Sequence, residues 1–472
     1  MGAPARPSRE DPVATAASEV VGGPVGDHAA PHPWWTPLRV VLAVATLAFA
    51  LGMVQKTPCV ATSWADGQVR YGAMCYSDVP YLYTGRGFAE LSPPFSDTGG
   101  RYQVMEYPVV IGYFAYGAAV LTQAVVGDVD LDERRGMPAE QIYAVPGVSH
   151  EADMYFVVTA VLLGAVLLVA AWFMAGAQRG RPWDAMLFAA SPALVLAGLI
   201  NWDILAVAMV AGAFWAWTRD RPVLTGLLIG LGTATKLYPL FLLGALLVVC
   251  LRDKRLRTFA SITVAAVGAW LFANAPVLLL GFEQWKVFWT FNSERGPDLG
   301  SLWLIWQQAG NTVTPNTLNL VSWVFFGLVC VAVLVLGLLA PRTPRPAQLA
   351  FLIVVGFLLV NKVYSPQYVL WLLPLAVLAR PRWRDLLVWQ AGEVFYFVAV
   401  WLYLGEFTAS SVSGAPDRLY WVAILVRVAA QLYLVVMVVR DIWQPWRDPV
   451  QEETPGVPLG RAGERESRAE VS

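Results

Sequence analysis

Long apolar runs separated by short basic connections set the pattern of this chain. A hydrocarbon core of about 30 Å is crossed by a helix of roughly 20 apolar residues. Runs that meet this requirement are Leu38–Val54, Pro108–Val126, Met154–Ala177, Phe259–Leu280, Leu318–Ala340, Leu386–Leu404 and Leu419–Val439. Three other stretches, Ala185–Trp217, Val223–Leu251 and Ala347–Ala379, are too long for one upright helix and short for two. Polar residues interrupt each near its middle. That pattern predicts pairs of short or broken helices, whose irregular backbone is tolerated at membrane depth only inside protein or along a cavity. The predicted fold is all-α and polytopic, with about twelve transmembrane helices.

Composition excludes the soluble alternatives. At 472 residues the chain has length for about three ordinary domains. Only 14% of it is charged, however, while 57% is hydrophobic and 21 residues are Trp. Soluble proteins carry roughly 25% charged residues, and the mean hydropathy here is +0.53. Too little polar surface remains for several water-soluble domains, so the partner of most of the surface is membrane lipid. A net charge of −1 leaves no electrostatic footprint for nucleic acid.

Basic connections fix an orientation by the positive-inside rule. Arg179/Arg181, Arg219/Arg221, Arg252–Arg257, Arg342/Arg345 and Arg380/Arg382/Arg384 are placed in the cytoplasm. The midpoints of the broken stretches, at Asn201-Trp202-Asp203, Thr235-Lys236-Leu237 and Asn361-Lys362-Val363-Tyr364, then fall outside. Splitting all three stretches yields an odd count with both termini inside. Either Pro108–Val126 does not cross, or Ala185–Ala197 lies in the interface. Residues 1–36 and 443–472 are rich in polar or small residues and read as disordered cytoplasmic segments around a membrane domain, 37–442. The first span lacks a small-residue cleavage site and reads as a retained anchor.

Candidate chemistry gathers on the outer side. The first outer loop, residues 55–107, holds Tyr76-Ser77-Asp78-Val79-Pro80 and ends in Glu106-Tyr107-Pro108. Cys59 and Cys75 share that loop and are candidates for a disulfide in an oxidising compartment, with a contribution on the order of 3 kcal/mol. Glu106 is placed for a substrate contact, a membrane-edge anchor, or an ion pair with Arg86 or Arg101. Asp203, Lys236 and Lys362 stand at the breaks, where charge is expensive and marks a functional or paired site. Their alternative is structural: snorkelling lysines, or an Asp203–lysine pair that joins helices. Arg295 and Asp298 add charge to the loop at 281–303. Glu393, nearer the cytoplasmic end of its span, is expected to hydrogen-bond another helix.

The three histidines, His28, His32 and His150, lie outside the spans. No His/Cys metal spacing is present, and a divalent cation is neither required nor excluded. No P-loop, G-x-S-x-G or H-E-x-x-H motif supports nucleotide, esterase or zinc-protease chemistry. Carboxylates, amides and isolated cations beside an apolar groove suit a lipid-linked phosphate. Aromatics such as Trp202, Tyr238, Trp303, Tyr364 and Trp371 are placed to stack on sugar faces or to form an interfacial belt.

Asp78-Val79-Pro80 with Tyr83 and Arg86-Gly87, Glu106-Tyr107-Pro108, Asn201-Trp202-Asp203, Ala234-Thr235-Lys236-Leu237-Tyr238-Pro239 and Asn361-Lys362-Val363-Tyr364-Ser365-Pro366-Gln367-Tyr368 together resemble the actinobacterial glycosyltransferase family 87. The resemblance runs from about Val40 to Asp441. It implies a GT-C fold, a crossing at Pro108–Val126 and a polyprenyl-phosphate sugar as donor, as in polyprenol-phosphate-mannose-dependent α-1,2-mannosyltransferases. It also implies an essential acidic residue in the first outer loop, which falls on Asp78. Some characterised members use an active-site histidine, and the spans here have none.

The reaction needs a base for the acceptor hydroxyl, which assigns Asp78, and electrostatic stabilisation of a phosphate leaving group. Lys236 and Lys362 are candidates for the phosphate, followed by Arg295. Asn201, Asp203, Glu106 and Gln367 would bind sugar hydroxyls or position Asp78. In-line attack on the anomeric carbon would invert it. The acceptor is a lipid or glycan, and the setting is the plasma membrane with the site on the extracytoplasmic face. The rival reading is a transporter or flippase that uses the same charges as a path; the long first loop and the lack of an internal repeat favour the enzyme.

Overall fold

The computed structural model describes residues 34–127, 129–178, 180–408 and 417–450, with 12–13 and 16–17. Among them the regular structure is helical, without strands. The arm expected over 1–36 lies almost wholly outside the described residues, as does the tail from 451. The start of that tail is held on the bundle: Asp448 accepts from Arg345 at 2.8 and 2.9 Å and from Gln348 at 3.1 Å.

Seven helices are long and apolar enough to cross a membrane: Pro37–Ala61, Val109–Val126, Val148–Ala177, Leu256–Leu280, Pro315–Leu339, Trp383–Leu404 and Arg418–Trp443. Large apolar side chains such as Val264, Phe272, Leu279 and Leu328 stand exposed on them, as expected of faces turned to lipid. Five shorter apolar helices, Asp203–Trp217, Pro222–Thr235, Tyr238–Arg252, Pro346–Val360 and Pro366–Ala379, form the interior. The second and third broken stretches are helix pairs interrupted at Lys236–Leu237 and Asn361–Ser365. The residue before a proline is biased away from helix, and Pro239 and Pro366 open the turns that restart each second half.

The first broken stretch differs. Its first half is two short turns, Met186–Ala189 and Pro192–Ala197, rather than a spanning helix. Pro192 and the Gly198–Trp202 break stop either turn from propagating. Pro108–Val126 does form an 18-residue helix, from Val109. Of the two alternatives left by the charge pattern, helix length therefore favours the one that removes a span from 185–197.

Two kinds of contact hold the interior together. Gly226 and Gly230 let helix 222–235 touch the backbone of helix 256–280. A Cβ on either would lie 2.2 Å from the Ile262 carbonyl oxygen or 2.1 Å from that of Ala266. Small residues four apart serve this close approach in membranes, where no hydrophobic force separates helix from lipid. At the end away from the breaks, arginines donate to terminal helix carbonyls: Arg219 to Gly176 at 2.9 Å, Arg252 to Gly337 at 2.6 Å, and Arg345 to Leu378 and Ala379 at 2.5 and 2.7 Å. These carbonyls have no intrahelical partner, and cations suit them. The same end buries Arg380 between Asp385 and Asp441.

The outer loop is a packed unit. The first helix runs seven residues past the expected span, to Ala61, because the polar groups of its last turns find partners. Gln55 donates to Met74 O at 2.5 Å and Lys56 to Tyr76 O at 2.8 Å. Cys59 and Cys75 are joined in a disulfide, with Cα atoms 5.8 Å apart. Further along, Glu151 of helix 148–177 accepts from Tyr83 at 2.9 Å and forms a two-armed pair with Arg134 at 2.5 and 2.8 Å.

Candidate active site

The backbone brings Asp78 to the first break. Its N–H donates to Ile200 O at 2.7 Å, and Ser77 Oγ donates to the same oxygen at 3.2 Å. The break at 361–364 is tied to the outer segment 295–301 in a similar way: Asp298 N–H donates to Lys362 O at 2.8 Å and Tyr364 N–H to Leu299 O at 2.7 Å. Gly300 fills a position with φ +68° where a Cβ would meet Tyr396 Oη at 2.1 Å.

Between these joints lies a cavity of about 660 Å³. Asp78, Glu106, Asn201, Lys236, Arg295, Lys362 and Gln367 all line it. Residues from the outer loop and from all three breaks thus meet in one chamber.

Both oxygens of Asp78 are held. Tyr76 Oη donates to Oδ1 at 2.7 Å and Tyr107 Oη to Oδ2 at 2.8 Å. Burial pushes the Asp78 carboxyl above its ordinary value, against those hydrogen bonds and the nearby Lys236, which pull it down. Burial and the adjacent carboxylate drive the phenols of Tyr76 and Tyr107 well up, so both remain donors.

Lys236 is paired. Its Nζ lies 2.9 Å from Asp203 Oδ1 and over the Tyr107 ring, 4.9 Å from the centroid. Asp203, fully buried behind it, also accepts from Trp371 Nε1 at 3.0 Å. The ion-pair alternative for Asp203 and Lys236 is therefore realised, with the lysine still facing the cavity. Asn201 is buried, accepts from Asp203 N–H at 3.0 Å, and leaves its Nδ2 without a partner. Glu106 is held by Arg86 at 2.7 and 2.9 Å.

Two further cations line the chamber. Lys362 donates to Asn319 Oδ1 at 2.6 Å and to Ser293 O at 3.4 Å, both neutral partners. Arg295 pairs with Asp298 at 2.5 Å. Phe288, Trp289, Trp323, Phe326 and Phe357 add an apolar wall, in which Trp289 and Trp323 are exposed.

Of the five expected sugar platforms only Trp371 lines the chamber. Trp202 is buried with its ring centroid 5.6 Å from that of Tyr107, Trp303 donates to Val360 O at 3.0 Å, and two tyrosines lie elsewhere. Tyr238 is buried outside the lining, with its ring stacked on Trp371 at 4.8 Å. Tyr364 donates to Glu393 at 2.9 Å beneath the Arg427 guanidinium, 3.6 Å from its ring centroid. Glu393 also accepts from Gln431 of helix 418–443 at 2.8 Å, the inter-helix bond expected of it. Both tyrosines flank breaks, and proximity in sequence does not say which side of the turn each ring takes. Among the described residues no three or more His, Cys, Asp or Glu side chains converge to hold a metal ion.

Sequence reasoning passed over Lys56. It is fully buried in the first helix and carries the carbonyl of Tyr76, the residue whose phenol holds Asp78. The signal was legible: a lysine next to an apolar run that continues the helical period. Lys56→Met is expected to lower kcat on the order of 10- to 100-fold through displacement of Tyr76 and Asp78, with KM little changed. Steady-state kinetics beside a melting curve check this; a loss that appears only as lowered melting temperature would make Lys56 purely structural.

Residues 143–366 match the model of glycosyltransferase family 87. The match takes in the breaks at 201–203 and 236–239 and ends in the third; it begins after the loop that carries Asp78. It indicates a glycosyltransferase, and the helices place that class of enzyme in a membrane. No curated protein matches the chain.

Proposed function

We propose that the protein moves a sugar from a polyprenyl-phosphate donor to an acceptor hydroxyl at the extracytoplasmic face of the plasma membrane, with inversion. Residues 37–442 form the catalytic membrane domain on this reading. The observation that carries it is the make-up of the chamber: a doubly hydrogen-bonded carboxylate, cations and an apolar aromatic wall share one lining. The acceptor oxygen attacks the anomeric carbon and its proton passes to Asp78. The bond from that carbon to the phosphate oxygen breaks, and polyprenyl phosphate leaves as an anion that needs no proton. On this reading Asn201 and Gln367, both in the lining, bind sugar hydroxyls, and Glu106 and Asp203 act through Arg86 and Lys236.

Lys362, rather than Lys236, is the first choice for the phosphate. Lys236 already neutralises a buried carboxylate, whereas the partners of Lys362 carry no charge. Arg295 assists, with part of its charge taken by Asp298. Mannose is the first sugar to test, on the family resemblance. The extracytoplasmic assignment rests on the arginines that cap helices at the end away from the chamber.

Purified protein in liposomes with labelled polyprenyl-phosphate mannose and candidate acceptors tests the proposal. A new glycosidic bond supports it; movement of label between leaflets without one identifies a flippase. Lys362→Met is expected to raise the donor KM about tenfold, the scale of one charge-assisted phosphate contact, with acceptor KM unchanged. Equal change in both would remove Lys362 from the phosphate site.

A further inference from the structure

We propose that a second cavity, on the outer loop, binds a pyranose residue of the acceptor glycan, separated from Asp78 by the stacked rings of Tyr81 and Tyr76; the proposal rests on the sugar-transfer reading. This cavity, about 270 Å³, is walled by Trp64, Arg70, Tyr81, Thr84 and Tyr143. Tyr81 stacks on Tyr76 with centroids 5.7 Å apart and planes 20° apart, and Tyr76 Oη is the donor to Asp78. The stack continues through Tyr71 to Trp401, both of which line the reaction chamber. Tyr76 and Tyr81 thus stand between the two cavities.

The chemistry suits a sugar ring. A pyranose offers a C–H face to aromatic side chains and hydroxyls to fixed polar groups. Tyr81, Tyr143 and Trp64 supply the first; Arg70, the one charged residue of the wall, supplies the second. The Arg70 guanidinium lies 4.7 Å from the Tyr81 centroid and donates through Nη2 to Trp64 O at 2.9 Å. Its Nε–H is buried without a partner. Guanidinium has donors only, so Arg70, as the charged residue of the wall, offers hydrogen bonds to ligand hydroxyls.

The walls are held in place before any ligand arrives. Tyr81 Oη and Tyr143 Oη donate to the carbonyls of Trp64 and Ser63 at 2.8 and 2.7 Å. Ser63 and Trp64 take φ of 44° and 61°, a conformation that non-glycine residues adopt only when surrounding structure imposes it. The Cys59–Cys75 disulfide closes the same turn. A donor carrying one sugar has nothing left to place here once that sugar lies beside Asp78. An acceptor of two or more residues does, and the cavity lies on the loop rather than along the apolar wall that suits the lipid.

The test measures binding of methyl α-mannoside and α-linked mannotriose, and of methyl α-glucoside and maltotriose, to the full chain in nanodiscs by saturation-transfer NMR and calorimetry. For at least one sugar the trisaccharide is expected to bind about tenfold more tightly than the monosaccharide. Arg70→Met and, separately, Tyr143→Ser should erase that gain and leave monosaccharide affinity unchanged. Equal affinity at both lengths for both sugars, or a gain that survives both substitutions, overturns the subsite. Transfer assays run in parallel keep the two claims apart. A length gain dependent on Arg70 in a protein without transferase activity would refute the reaction, and transfer without a length gain would refute only this cavity's role.

Discussion

Asp78→Asn is expected to reduce sugar transfer by about 10²- to 10⁴-fold, the range supplied by a positioned general base. Asparagine keeps the size of the side chain and two atoms able to bond the Tyr76 and Tyr107 hydroxyls, so the melting temperature should hold. The accompanying pH profile carries a sign. The base works as a carboxylate, so kcat/KM falls as pH drops through its pKa. Burial raises that pKa, which places the acid limb above the ordinary aspartate range near about 3.9. The phenolic hydrogen bonds oppose the rise, so Tyr107→Phe should move the limb to still higher pH while activity above it persists. Full transfer by the asparagine variant, or an acid limb unmoved by Tyr107→Phe, would remove Asp78 from the role of base.

Gly230→Val is expected to cause the largest loss of stability, about 3 kcal/mol, the upper part of the range for overpacking. The new Cβ would sit 2.1 Å from the Ala266 carbonyl oxygen, and a backbone atom on a helix cannot move aside as a side-chain tip can. Helices 222–235 and 256–280 must then separate. Because Lys236 follows directly on the first of them, the Asp203 pair and the Tyr107 contact would be disturbed as well. Gly268→Ala is the control: it lies on the same partner helix with open space around its Cβ position. Thermal unfolding in detergent and in lipid compares the two. A melting temperature equal in both variants would show that the glycine contact does not hold the bundle.

The positions of the breaks were readable because an apolar run in a membrane has only one strong reason to carry Asn201, Asp203, Lys236, Asn361 and Lys362. Each must find a partner or water, and each of the breaks they mark contributes to a single chamber. What each residue does inside the chamber was not readable. Lys236 and Asp203 are 33 positions apart, and the pair exists only because helix 203–217 packs beside helix 222–235. Tyr364 flanks Lys362 in sequence, yet the chain turns between them: Lys362 faces the cavity, while Tyr364 enters a buried cluster with Glu393 and Arg427. Local sequence cannot distinguish these outcomes, since the direction of a side chain at a helix break depends on which neighbour closes over it.

Hydropathy, charge deficit and the placement of basic connections determined by themselves that this chain is an all-helical membrane protein with interrupted interior helices. Those properties follow from the cost of unpaired backbone and charge in hydrocarbon, which acts residue by residue. Tertiary structure decided that Asp78 is gripped by two phenols, that Lys236 is neutralised and Lys362 is not, and that Lys56 supports the carboxylate from within the first helix. These depend on side chains brought together from distant parts of the chain, where a shift of one helical position would give each a different partner.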